Sequence, residues 1–220
     1  MDVTLTPEQE KKLQKAAAIN DMQMLMAKYV ELMSKMDAAG VFELFDKKNP
    51  DASIELAEMG GYDGPDHVKA FLDAYDKYMQ DPSDKRGYMD LQTICNPYIK
   101  VSADGKKAVG TWSLFAPSSR WAMPYPCDTL KLSAFWHCGK YYVDFVNTDG
   151  GWKILKLQMI SFLRSEFKTG WMTQADCSQM PVLPGMKPDR ESSYYNVYNA
   201  DYSCASGGIE WGPYLPDEEL

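Results

Sequence analysis

The sequence contains neither a glycine-rich phosphate loop nor a GxSxG elbow. That removes the nucleotide-binding and serine-hydrolase templates which those motifs build. Histidine is scarce: His67 and His137 are the only two, far apart in the chain. Neither zinc-protease nor zinc-finger spacing can be written from them, and no metal site is expected. The cysteines, Cys95, Cys127, Cys138, Cys177 and Cys204, are odd in number and never spaced as CxxC. They read as reduced thiols rather than a disulfide frame. No basic stretch followed by an apolar one opens the chain, and no apolar run approaches a membrane span. A cytoplasmic protein without membrane contact is the expectation. Basic charge is also short, with 23 Lys and Arg against 31 Asp and Glu and a formal charge of −8. A duplex-binding protein gains affinity by neutralising phosphates, so nucleic acid is excluded as a partner, and an anionic membrane surface with it.

What is present is an ordinary globular composition, 45% hydrophobic and 25% charged over 220 residues. A chain of this size buries about 70% of its open surface on folding, so no disulfide or metal staple is needed. Thr6-Pro7-Glu8-Gln9 carries the signature of a helix start: a capping hydroxyl, a first-turn proline and a capping-box partner. Ile19, Met22, Met26, Tyr29, Met33 and Met36 then recur at intervals of three and four, which predicts one buried helix face to about residue 37. Asp37 caps a second short helix, Ala38 to Phe45, closed by Asn49-Pro50. A third helix starts at Gly64-Pro65, buries Val68, Phe71, Leu72, Tyr75 and Met79, and stops at Asp81-Pro82.

Beyond Lys85 the period changes. The stretches 88–103, 106–116, 129–146 and 152–165 are rich in Val, Ile, Thr and aromatics, as strands are. Asp104-Gly105 and Asp149-Gly150 are hairpin turns. A short strand, Ser53 to Met59, joins the same sheet. Three helices followed by a meander predict an α+β layout, with helices on one face of a bent antiparallel sheet. The division expected is a domain over 1–180 and an extension over 181–220. The extension holds Tyr194, Tyr195, Tyr198, Tyr202, Trp211 and Tyr214, and a disordered tail is poor in such residues. It is expected to lie irregularly along the core or along a second subunit, in a homodimer or homotrimer.

An ordered set of short motifs goes further. Lys28-Tyr29 in the first helix and Asp37-Ala38-Ala39 opening the second are followed by Gly61-Tyr62-Asp63-Gly64 before the third. Asn96-Pro97-Tyr98-Ile99-Lys100-Val101, Asp104-Gly105-Lys106-Lys107-Ala108 and Asp149-Gly150-Gly151-Trp152-Lys153-Ile154 come after it. Over residues 12–168 this resembles the SnoaL-like branch of the nuclear-transport-factor fold, with its polyketide cyclases, scytalone dehydratase and bile-acid dehydratases. The resemblance implies a cone-shaped α+β roll around one pocket. It also implies acid–base chemistry without a cofactor on an apolar, aromatic or polycyclic small molecule. Tyr29 falls where dehydratases of the family keep a tyrosine facing the departing oxygen. The family often has aspartate where this chain has Ser34, and its histidine where this chain has Gln92, so the usual dyad is missing.

The candidate residues each carry two readings. Tyr29 is a core tyrosine, or a pocket hydroxyl acting as general acid or oxyanion donor. His137 shares one side of a strand with Gly139 and Tyr141, the side that contacts ligand in related dehydratases; it is a proton shuttle or a structural histidine. His67 is a surface residue. Glu55 and Glu58 alternate across their strand, so at most one faces a pocket. Glu55 is the candidate base, or a solvated charge. Gln92 can orient a substrate oxygen but not abstract a proton. Arg164 can pair with a substrate carboxylate or sit at a sheet edge. The Met-rich helix face, Trp112 and Trp136 are core packing, or the walls of a pocket for a flat ligand. The function expected is a lyase or isomerase, with Tyr29 and His137 catalytic and Glu55, Gln92, Trp112, Tyr141 and Arg164 binding substrate. The alternative is a non-catalytic small-molecule binder or scaffold of the same fold.

Overall fold

The computed structural model describes residues 5–80, 89–121, 132–168, 170 and 185–193. Helix α1 (Pro7–Lys35) starts on a closed capping box. Thr6 Oγ1 accepts from the Gln9 backbone N–H at 3.3 Å, and Gln9 Oε1 accepts from the Thr6 N–H at 2.8 Å. The helix buries Ala18, Met22, Met26, Tyr29 and Met33, the stripe that its three-and-four spacing predicts. Each fully buried methionine there contributes about 1.5–3 kcal/mol. Helix α2 (Ala38–Phe42) is capped by Asp37, which accepts from the Gly40 N–H at 2.8 Å. It is shorter than predicted because the sheet claims its last residues. Leu44 O accepts from the Ile154 N–H at 2.9 Å, and Phe45 bridges Ile154. Helix α3 (Pro65–Gln80) buries Val68, Phe71 and Leu72, with Phe71 stacked on Tyr62 at 4.4 Å between ring centroids.

The strands are β1 (Ser53–Leu56), β2 (Gly61–Asp63), β3 (Met89–Asp90), β4 (Thr93–Val101), β5 (Lys107–Phe115), β6 (Ser118–Trp121), β7 (Leu132–Thr148) and β8 (Gly151–Glu166). One sheet runs in the order β2-β1-β8-β7-β5-β4, and β6 joins β3 to β7. All pairings are antiparallel except β1 with β8, which is parallel. The strand predicted over 53–59 stops at Leu56, where a 3-10 turn (Ala57–Met59) follows. The short strands β2 and β6 carried no sequence signal of their own. β7 and β8 hold 17 and 16 residues, and their register shifts at Cys138/Gly139 and again at Asp144/Phe145. Each shift bends the pair, so the sheet curls strongly around the helices. The result is an α+β roll, with Trp112 edge-on to Phe145 at 6.0 Å inside it.

Residues 185–193 run along the free edge of β2. The Gly61 N–H donates to Arg190 O at 2.9 Å and the Asp189 N–H donates to Gly61 O at 2.9 Å. The Arg190 guanidinium lies over Gly61, where a Cβ would stand 2.3 Å from Cζ, so a larger residue there would push the guanidinium aside. From there Arg190 pairs with Glu55 and with Asp63. The Glu55 side chain is 3% exposed. It also accepts from Gln158 Nε2 at 3.0 Å, the Ser193 N–H at 2.8 Å and Ser193 Oγ at 2.9 Å. The tail aromatics Tyr194, Tyr195, Tyr198, Tyr202, Trp211 and Tyr214 lie outside the described residues, as do Cys127, Cys177, Cys204 and the Glu58 side chain.

Two outcomes follow from this clasp. Arg190→Ala leaves a buried carboxylate without its cation and should lower stability to urea by about 2 kcal/mol or more; an unchanged midpoint would contradict it. His67 Nδ1 lies 2.6 Å from Asp189 Oδ2, and the aspartate raises the His67 pKa above its ordinary value. A raised folded-state pKa stabilises below the unfolded value and is lost as pH rises through the folded one. Wild type should therefore exceed His67→Gln in stability near pH 5.5 and match it near pH 9. A gap of equal size at both values would refute the pairing.

Candidate active site

The two faces of the sheet separate the candidate residues. Directly paired residues point to the same side of a sheet, and neighbours along a strand to opposite sides. Tyr141 pairs with Met159, which pairs with Leu56. These three face the helices and line one cavity. Glu55 pairs with Gln158, one step along, and therefore lies on the opposite face. The sequence-based expectation that Glu55 serves as base in the pocket is not met, because its carboxylate is engaged by Arg190, Gln158 and Ser193 behind the sheet.

The cavity encloses about 30 Å³, room for roughly one water molecule. Its apolar wall is Met33, Leu56, Met59, Leu114, Ala116 and Met159, and its polar wall is Tyr75, Asp90, Gln92, His137 and Tyr141. His137 is half-buried and its Nε2 lies 3.1 Å from Ser161 Oγ. A hydroxyl both donates and accepts, so Ser161 can follow either protonation state of the imidazole. The Tyr141 hydroxyl donates to Gln92 Oε1 at 2.8 Å. Gln92 and Tyr141, expected in the pocket from the sequence, thus meet there with His137. Asp90 and Ser161 were missed. The stretch 88–103 breaks between β3 and β4, with Leu91 and Gln92 in neither strand, so no local period marks Asp90.

Three other candidates stand back from the cavity. Tyr29 is fully buried, with its ring edge-on to that of Tyr141 at 5.7 Å; it backs the wall rather than forming it. Trp112 is core, 2% exposed against Phe145. Arg164 pairs with His137 across the strands and is buried, its guanidinium 4.8 Å from the Phe135 ring centroid. Ser34 is not among the lining residues, whereas its neighbour Met33 is. Burial pushes the Tyr29 and Tyr141 hydroxyls far above the ordinary phenol range, and the nearby Tyr75 and Asp90 add to the shift. Among the described residues no group of three or more His, Cys, Asp or Glu could hold a metal ion. None of their helices is long and apolar enough to cross a membrane.

A curled α+β roll with one half-polar cavity between sheet and helices is the architecture that the SnoaL-like resemblance implies. A family model described as a SnoaL-like domain matches residues 14–158, and the chain belongs to that family. No curated protein matches the sequence. Among solved structures, LinA aligns at 13% identity and a TM-score of 0.55, covering 71% of this chain and 94% of its own. A protein assigned as a scytalone dehydratase from Novosphingobium aromaticivorans aligns at 16% identity and 0.53, covering 72% and 91%. The hexachlorocyclohexane dehydrochlorinase LinA-type3 from Novosphingobium barchaimii aligns at 16% and 0.50, covering 71% and 92%. At these identities the likeness is one of fold.

The buried hydroxyls set a measurable expectation. In an alkaline spectrophotometric titration, Tyr141→Phe should leave the absorbance step near pH 10 unchanged, because Tyr141 does not ionise there in the folded protein. A step diminished by one tyrosine would contradict the placement. The same variant orphans Gln92 Oε1 and should lose about 1–2 kcal/mol in urea unfolding.

Proposed function

We propose that the chain is a cofactor-independent lyase or isomerase acting on a small, largely apolar ring compound, with His137 as its acid–base group. The observation that carries this reading is the convergence of His137, Gln92 and Tyr141 on one cavity whose remaining wall is mostly methionine and leucine. In such a cavity His137 takes a proton from a ring carbon beside a carbonyl. The electron pair moves onto the carbonyl oxygen, where the Gln92 amide N–H donates a hydrogen bond to the developing charge while its Oε1 accepts from the Tyr141 hydroxyl. In a dehydration the imidazolium then returns the proton to the departing hydroxyl; the C–H and C–O bonds are broken, C=C is formed and water leaves. In a double-bond shift the proton returns instead to the far carbon of the conjugated system. His137 ends neutral in both cases, and no electron acceptor is required.

The cavity as formed admits about one water molecule, so a ring enters by displacing the side chains of Met33, Met59 and Met159. Unbranched thioethers turn with little cost and accommodate varied shapes. The LinA proteins and the protein assigned as a scytalone dehydratase carry elimination activities in their names, which supports the reaction class for this fold. A second reading, a binder that has given up chemistry, is favoured by the small cavity and by Ser34 and Gln92 standing where relatives keep Asp and His.

Base-catalysed ring opening of nitrobenzisoxazole separates the two, since it needs one base in an apolar site. A proton leaves carbon, the N–O bond breaks and a cyanophenolate forms. Wild type should exceed buffer. His137→Gln should lose about 100-fold or more. A rate unchanged in His137→Gln rejects the acid–base assignment, and no rate above buffer in wild type favours the binder.

A further inference from the structure

We infer that Asp90 is the specificity-determining residue of this cavity, reading a hydrogen-bond donor carried on the ring of the ligand. The inference rests on the cavity being a ligand site, as proposed above, but not on its being catalytic. Asp90 pairs with Ser118, and Ser118 with Phe135, two residues from His137 on β7. Paired residues share a face and alternate residues share a side, so Asp90 and His137 both point into the curl. Two strand spacings separate them laterally, about 10 Å on a flat sheet. They line the same cavity from different strands, far enough apart to address different ends of one small ring.

The chemistry of the lining assigns the roles. The Tyr141 hydroxyl donates to Gln92 Oε1, which leaves the Gln92 amide N–H as the donor for an acceptor on a ligand. Asp90 carries the only carboxylate among the lining residues, and an ionised carboxylate is acceptor-only, with about four acceptor positions. Asp90 already has an interaction partner, which an arriving ligand hydroxyl or ammonium shares or displaces. Its charge is felt at the polar end of the cavity, where it helps to raise the pKa of both the Tyr29 and the Tyr141 hydroxyls. A ring with a donor at that end gains a charge-assisted hydrogen bond, whereas a purely apolar ring leaves the carboxylate desolvated. The preferred ligand is accordingly an apolar ring bearing one hydroxyl or amine, with its opposite edge toward His137.

Calorimetric titration of the full chain with phenol, benzylamine and toluene tests this. These probes are similar in size and differ in the donor. Phenol or benzylamine should bind about tenfold or more tightly than toluene, and whichever leads identifies hydroxyl or ammonium as the group read. Asp90→Leu should abolish the gap, and Asp90→Asn, which keeps an acceptor without the charge, should narrow it about threefold or more. If circular dichroism shows that Asp90→Leu does not fold, Asp90→Asn decides. Equal affinity for all three probes, a gap that survives both substitutions, or no binding of any probe would overturn the inference. A preserved gap without nitrobenzisoxazole turnover refutes the catalytic reading alone. Turnover dependent on His137 without any gap refutes only the role of Asp90.

Discussion

The strands β7 and β8, 17 and 16 residues long, stay paired over nearly their whole length except at two register shifts. A flat ribbon of that length would present two open faces and enclose nothing. The shifts at Cys138/Gly139 and Asp144/Phe145 add residues on the β8 side and bend the pair there. Gly139 sits at the first, where a Cβ would stand 2.3 Å from Ile160 O, so the close approach of the two backbones depends on that glycine. Once the ribbon curls, α1 and α3 can cover its inner face, and the Met22–Met26–Tyr29–Met33 stripe finds a concave surface to fill. The cavity is the gap left where this filling is incomplete.

The same pairing divides the polar residues between two environments. On the inner face, Gln92, His137 and Tyr141 meet among methionines, and hydrogen bonds from Tyr141 to Gln92 and between His137 and Ser161 satisfy groups that would otherwise be costly to bury. On the outer face, Glu55 is almost fully buried but bound by four donors, three of them from residues 190–193. One carboxylate thus serves the attachment of the C-terminal segment while another, Asp90, faces the cavity. A shift of β1 by a single residue would exchange Glu55 for Leu56 on the inner face and dismantle both arrangements.

Membership in the SnoaL-like family brings a fold without guaranteeing a reaction. In this chain the cavity holds an imidazole and a carboxylate, supplied by β7 and β3. Gln92 itself stays in the wall, as a hydrogen-bond partner of Tyr141. The chemistry of the polar wall has to be read from the side chains present.

The period of hydrophobic residues, the caps and the turn dipeptides were enough to determine three helices and a following meander; the family resemblance rested on the ordered motifs between residues 12 and 168. These are local signals: Thr6 caps whatever the rest of the chain does, and Asp149-Gly150 turns two strands back on each other. They also placed His137 and Tyr141 on one side of a strand. What they could not determine was which carboxylate enters the cavity. Glu55 and Asp90 both precede apolar residues in short strands, and nothing local distinguishes them. The difference arises from the parallel pairing of β1 with β8, from Arg190 arriving more than a hundred residues later, and from the short β3–β6 contact that turns Asp90 inward. The sequence alone settled what is decided by neighbours along the chain. The site was settled by contacts between distant segments, because the face a strand buries depends on its partner's register, and that exists only in the folded sheet.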